Sequence, residues 1–320
     1  MTITKPLQQK LLLTIVITAG LYLAASVWVG WEEITAAMSQ FRWWVLPVCL
    51  ALAFLNYLIR FVKWHYYLHI LTIPLSVPQS FQVFLSGFVM AATPGKFGEV
   101  FKSYLIKEIN QTPMSRSAPI VLAERFTDFL AFLILALLGV TLIPNGTTVF
   151  IISIAIVVMV IILVSWKTVM EAMIEWAKCL PVIGTKTGNI LTAYESTYLL
   201  IAPKPLIGAT LISIVSWFME CLAFALVLWG FDAAIPIKEA TFIYAFATIM
   251  GALLMTPGGV GPTEGTLGGL LVLLLAVPDG IAASATIIIR ICTLWFAVVV
   301  GMMALSLSGR SLKNTETISG

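Results

Sequence analysis

Six long, mostly apolar runs constrain this chain before any motif does: Leu11–Trp31, Trp43–Lys63, Ala118–Ile143, Thr147–Trp166, Leu206–Trp229 and Ile281–Leu307. Each reaches the roughly 20 residues that a helix needs to cross a bilayer. In lipid the backbone must pair its own polar groups, so runs of this length read as helices. Only 10% of the 320 residues are charged, against roughly 25% in soluble domains. The sequence therefore reads as one integral membrane domain over residues 1–320, all-α and polytopic. A net charge of +3 is too small to point to nucleic acid. Leu11–Trp31 follows Lys5 and Lys10; it is longer than a signal-peptide core and no small-x-small cleavage site follows it, so it is expected to stay as a membrane helix.

Between the spans lie pieces too short to cross. Gln79–Ala92 would reach only about 21 Å as a helix and Gly265–Val277 about 20 Å, against a hydrocarbon core of roughly 30 Å. Two re-entrant hairpins accommodate them, Gln79–Lys107 turning at Thr93-Pro94-Gly95 and Lys238–Val277 turning at Thr256-Pro257-Gly258-Gly259. Eight plain spans with loops at these sites are the rival count. With the N-terminus in the cytoplasm, Lys5, Lys10, Lys63, Lys102, Lys107, Arg116, Lys167, Lys178, Lys186, Lys204, Arg310 and Lys313 fall inside. Only Arg42 and Lys238 fall outside. This positive-inside bias sets the expected orientation, with both termini cytoplasmic in the inner (plasma) membrane.

The two turns are echoes of one another. Thr93-Pro94-Gly95-Lys96-Phe97-Gly98-Glu99 returns, loosened, as Thr256-Pro257-Gly258-Gly259-Val260-Gly261-Pro262-Thr263-Glu264. Paired breaks in matching halves are the sequence-level pointer to a transporter's binding site. The expected architecture is an inverted repeat, each half holding three spanning helices and a re-entrant hairpin, eight hydrophobic segments in all. Repeat one covers about 11–143 and repeat two about 147–307. An amphipathic cytoplasmic linker is expected within 167–205 and a disordered tail over 309–320. From Pro94 to Arg125 is 31 residues and from Pro257 to Arg290 is 33.

The candidate binding residues are the breaks and the charges near them. At the breaks these are Thr93, Gly95, Lys96, Thr256, Gly258 and Gly259, where Pro and Gly leave peptide groups unpaired for an anionic group; a simple kink is the bland reading. Arg60, Glu124, Arg125, Asp128, Glu220 and Arg290 lie inside apolar segments, where a charge must face a partner or a wet cavity. Structural ion pairing and headgroup binding are both open for them. A guanidinium can grip a phosphate bidentately, and Asn56 lies one helical turn before Arg60. Glu99 and Glu264 follow the breaks, as proton carriers or as capping acids. Trp64 is expected as an interface anchor. So are His65 and His69, in preference to a metal pair. The four cysteines are scattered, without metal or disulfide spacing. No cofactor, nucleotide loop or catalytic grouping is apparent.

Through Asn56–Trp64 (NYLIRFVKW), Ser86–Glu99 (SGFVMAATPGKFGE), Glu124–Asp128 (ERFTD), Thr256–Glu264 (TPGGVGPTE) and the segment IIIRICTLW around Arg290, the chain resembles the flippase-like family related to the transmembrane region of lysylphosphatidylglycerol synthase, the multiple peptide resistance factor. The resemblance implies a polar-lipid flippase that moves a phospholipid or lipid-linked headgroup across the inner membrane without ATP hydrolysis. The full synthase carries a soluble aminoacyl-transferase domain after its membrane part, whereas this sequence ends at Gly320, so no synthase activity is expected. The alternatives are a small-solute secondary transporter, a membrane enzyme using Glu124 and Asp128 as acid and base, and a non-transporting partner of a synthase or glycosyltransferase.

Overall fold

The computed structural model describes residues 30–91, 97–142, 146–165 and 187–316. Every regular element among them is a helix. In order they are α1 (Trp31–Gln40), α2 (Val45–Ile70), α3 (Val77–Ser86), α4 (Phe101–Asn110), α5 (Met114–Ala136), α6 (Gly146–Ser165), α7 (Thr187–Leu200), α8 (Pro203–Gly230), α9 (Ile237–Leu253), α10 (Pro262–Leu275), α11 (Asp279–Arg290) and α12 (Phe296–Glu316). A π-helical turn, Ile291–Trp295, runs α11 into α12. The expected span Leu11–Trp31, the first turn at Thr93-Pro94-Gly95, and most of the expected linker lie outside the described residues.

Among the described residues three helices are long and apolar enough to cross a bilayer: Val45–Ile70, Pro203–Gly230 and Asp279–Leu307. The first runs seven residues past the expected end at Lys63. Lys63 is buried within it and held by Asp128, so it does not mark a boundary. At about 1.5 Å per residue, α9 and α10 reach only about 26 and 21 Å. They fold back on each other through the Thr256–Gly261 turn. At Gly251 an added Cβ would sit 2.0 Å from Thr263 Oγ1, so the hairpin closes only over a residue without a side chain.

Local chemistry sets the helix boundaries. Gln79 reaches back to accept from the Ser76 N–H, a capping box at the start of α3. Left-handed residues end five helices: Thr72 after α2, Gln111 after α4, Asp232 after α8, Met255 after α9 and Ala276 after α10. Thr72 and Asp232 are 160 positions apart, and so are the starts of α3 and α9; Gln111 and Ala276 are 165 apart, and so are the prolines preceding α5 and α11. The five-residue difference falls within the second hairpin.

Packing exchanges partners along the chain. α2 lies along α8 as the most extensive contact, α5 packs on α9, and α12 packs on α3 and the 3-10 turn Gly87–Met90. α1 covers α11, while α7 covers α5. The larger apolar core runs from Cys49 through Phe132 and Trp217 to Leu267 and Ile289. A second gathers Tyr57, Trp64, Phe84, Phe88 and Ile106.

Candidate functional site

Where α2 meets α8, the two cores part around a cavity. Its cavity volume is about 50 Å³, and it opens to solvent. α2 supplies Tyr57 and Arg60, α8 supplies Trp217 and Glu220, and the first hairpin supplies Phe88, Ala91 and Glu99. Tyr244, Thr248 and Gly258 come from the second hairpin, and Arg290, Thr293, Leu294 and Ala297 from the last long helix. Both halves of the chain therefore build one polar chamber.

The second break is tied down by Arg290. Its Nε donates to Glu264 Oε1 at 2.7 Å and its Nη2 donates to the Gly258 carbonyl at 2.5 Å. Glu264 Oε2 accepts from the Gly261 N–H at 2.7 Å, so one carboxylate serves as helix cap and counterion. Gly258, Gly259 and Gly261 have φ of 63, 72 and 93°, a region that side chains other than glycine avoid. The π turn after Arg290 frees backbone carbonyls, and Tyr57 Oη donates to that of Thr293 at 3.0 Å. On the opposite wall, Tyr244 Oη donates to Glu220 Oε2 at 2.5 Å.

Arg60 is only 4% exposed. Its guanidinium carbon lies 5.0 Å from the Trp217 ring centre and 5.5 Å from that of Phe88. Aromatic faces stabilise the charge without using an N–H group.

Beside the cavity a buried ionic chain fastens the first hairpin to α5. Lys63 Nζ lies 2.6 Å from Asp128, Asp128 3.2 Å from Arg125, and Arg125 3.3 Å from Glu99. Glu99 then meets Lys102 at 3.4 Å, and Lys102 meets Glu124 at 2.5 Å. Ser213 of α8 bridges Lys63 and Asp128, at 2.7 and 3.0 Å. Three acids and three bases balance, as burial of charge requires.

The family model described as "Lysylphosphatidylglycerol synthase TM region" matches residues 11–301. The chain belongs to this family. It is similar to a UPF0104 membrane protein of Methanothermobacter thermautotrophicus, 26% identical over 304 residues that cover 88% of each chain. A UPF0104 membrane protein of Pyrococcus horikoshii is 24% identical over 320 residues, covering 91% of this chain and 95% of the relative.

For this member of the lysylphosphatidylglycerol synthase transmembrane-region family, the sequence-derived site separates into parts. Arg60, Glu99, Glu220, Gly258 and Arg290 line the cavity. Glu124, Arg125 and Asp128 belong to the ionic chain, which shares Glu99 with the cavity. Gly259 and Glu264 shape the second hairpin, and Thr256 Oγ1 is buried there without a hydrogen-bond partner. Asn56 does not join Arg60: its Nδ2 donates to the Ser216 carbonyl at 2.8 Å, because an amide buried between α2 and α8 needs an acceptor there. Thr93, Gly95 and Lys96 lie outside the described residues.

Several expectations are corrected. Lys63 and Lys102, counted among the cytoplasmic-side charges, are fully buried ion-pair partners and carry no weight in that count. Trp64 is not an interface anchor; it is fully buried, with Lys102 Nζ 4.4 Å from its ring centre. His65 Nδ1 lies 3.0 Å from Ser80 Oγ, and no metal-binding cluster occurs among the described residues. Sequence reasoning missed Tyr57, Trp217 and Tyr244. A signal for the first two exists, since each is an aromatic residue three positions before a charge, Arg60 and Glu220.

Proposed function

We propose that this chain is a polar-lipid flippase of the inner membrane. The headgroup of a phospholipid or lipid-linked molecule passes through the cavity while its acyl chains stay in the bilayer. The observation that carries this reading is the shared chamber: charged side chains from both halves line one space bounded by helices long enough to span the membrane. A charge at that depth costs at least about 2.5–3.5 kcal/mol on insertion scales, and a polar cargo gives it a use.

In this reading the halves are inverted repeats. The repeated helix ends at offsets of 160 and 165 support this, as do the exchanged contacts of α5 with α9 and α12 with α3. Three crossings per repeat turn the second copy upside down, so the chamber sees each leaflet through one copy of the same scaffold. Transport runs on a gradient or on lipid asymmetry. Both termini are cytoplasmic, and the chain carries out no headgroup chemistry of its own.

The test is reconstitution into liposomes with headgroup-labelled phospholipids. The parent and Leu273→Ala, at a position 82% exposed on the protein surface, should expose inner-leaflet label to an external quencher, and Glu220→Gln should slow this by about tenfold or more. Equal rates in parent and Glu220→Gln, or rates no faster than empty liposomes, sink the proposal. Headgroup turnover without flipping assigns an enzyme instead.

A further inference from the structure

Two of the three arginines near the breaks are already neutralised at close range, Arg290 by Glu264 and Arg125 by Glu99 and Asp128. Arg60 has no ion pair among the described residues, and its Nε and Nη2 are buried without a hydrogen-bond partner. These two atoms share one edge of the guanidinium. Their N–H bonds run parallel, the side-on fork that fits two oxygens of a phosphate or carboxylate. A buried donor left unmet is costly, and here both belong to one residue that lines the cavity. Trp217 and Phe88 lie against the same guanidinium and hold its plane.

We infer that Arg60 is the oxyanion seat of the cavity, taking two oxygens of a phosphodiester side-on through Nε–H and Nη2–H. This deepens the flippase reading and rests on it for the source of the ligand, since a free phosphate presents the same two oxygens. The seat reads the phosphodiester and not the rest of the headgroup. Lipids that share that group should bind alike, and a lipid without it should not.

The test is equilibrium binding to the purified full chain in detergent, followed by native mass spectrometry and by thermal shift. The probes are short-chain phosphatidylglycerol, phosphatidylcholine, diacylglycerol and inorganic phosphate. The parent should retain both phosphodiester lipids and not diacylglycerol. Arg60→Lys keeps the charge but loses the fork, and should bind both lipids about tenfold more weakly or worse. Retention of diacylglycerol equal to that of the phospholipids overturns the seat on the parent protein alone, whether or not the variant folds. Lipid affinity in folded Arg60→Lys within about twofold of the parent overturns it too, and leaves the flippase reading standing if transport is seen. Phosphate binding lost in Arg60→Lys, with no lipid bound by the parent, keeps the seat and removes the lipid, and the flippase reading falls with it.

Discussion

Arg290 donates to Glu264, 26 residues before it, and Arg125 donates to Glu99 across the same 26. The carboxylate after each break is thus bound by the arginine of the next long helix in both halves. What surrounds the two pairs differs. At an offset of 165, Lys102 and Glu124 correspond to Leu267 and Ile289, both fully buried. The first half uses a buried ion pair where the second packs two aliphatic side chains.

Arg290 should be more sensitive to replacement than its partner Glu264. Arg290→Gln removes the counterion of Glu264 and the donor to Gly258, leaving Glu264 with only its bond from the Gly261 N–H and the Gly258 carbonyl without that donor. Breaking a buried pair from one side costs about 3–5 kcal/mol. Glu264→Gln should cost less, since its side-chain carbonyl can still accept from the Gly261 N–H. Thermal unfolding in one detergent checks the order. A smaller loss for Arg290→Gln than for Glu264→Gln would contradict it.

The asymmetry between halves makes a second prediction. Lys102→Leu alone strands Glu124 and should cost about 3–5 kcal/mol; Glu124→Ile alone leaves Lys102 with only the longer contact to Glu99, at 3.4 Å, and should cost less. Installed together, they reproduce the second half's Leu267 and Ile289, and the double variant should recover most of the summed loss. Glu99 keeps Arg125 in either case. Additive losses in the double-mutant cycle would mean that the pair does not act as a unit.

Much of this fold was legible, and the misses have physical causes. Apolar length found the three crossing helices among the described residues, and it separated them from the shorter α9 and α10, for which re-entrant arms and plain spans both stayed open. The echo between the two breaks was visible, but it was measured from the prolines, which gives 31 and 33, when the carboxylate that touches the arginine gives 26 twice. Lys63 and Lys102 were misread because a lysine at the end of an apolar run looks the same whether its head reaches water or an acid on another helix. Their acids are 65 and 22 residues away, and no local pattern joins them. The aromatic residues against Arg60 were hidden differently, since Trp and Phe are ordinary in any membrane helix.

Glycine substitutions separate contact from flexibility. Gly251→Ala places a methyl on Thr263 Oγ1 and near Gly259 Cα, at 2.0 and 3.4 Å, and overpacking of this kind costs about 1–3 kcal/mol. Gly265→Ala, in α10, meets nothing within 4 Å and should stabilise by about 0.5–1 kcal/mol. Opposite shifts of the melting temperature are expected. Shifts of the same sign would refute the packing of α9 on the break.

Topology supplies the last prediction. Removing the buried Lys63 and Lys102 from the twelve positions expected to be cytoplasmic leaves ten against two, a bias that still favours cytoplasmic termini. Lys107 and Lys238 are exposed and should face opposite sides, with three crossings between them. In a chain with Cys179 replaced by serine, Lys238→Cys should react with an impermeant maleimide in intact cells, and Lys107→Cys only in inside-out vesicles. The remaining Cys49, Cys221 and Cys292 are buried and give little background. Leu254→Cys decides between a re-entrant hairpin and two plain spans. Leu254 is 58% exposed on the protein surface, but a tip that stops in hydrocarbon shows no water to the reagent. It should stay unlabelled from both sides, whereas a plain span brings it to the cytoplasmic face and labels it in inside-out vesicles.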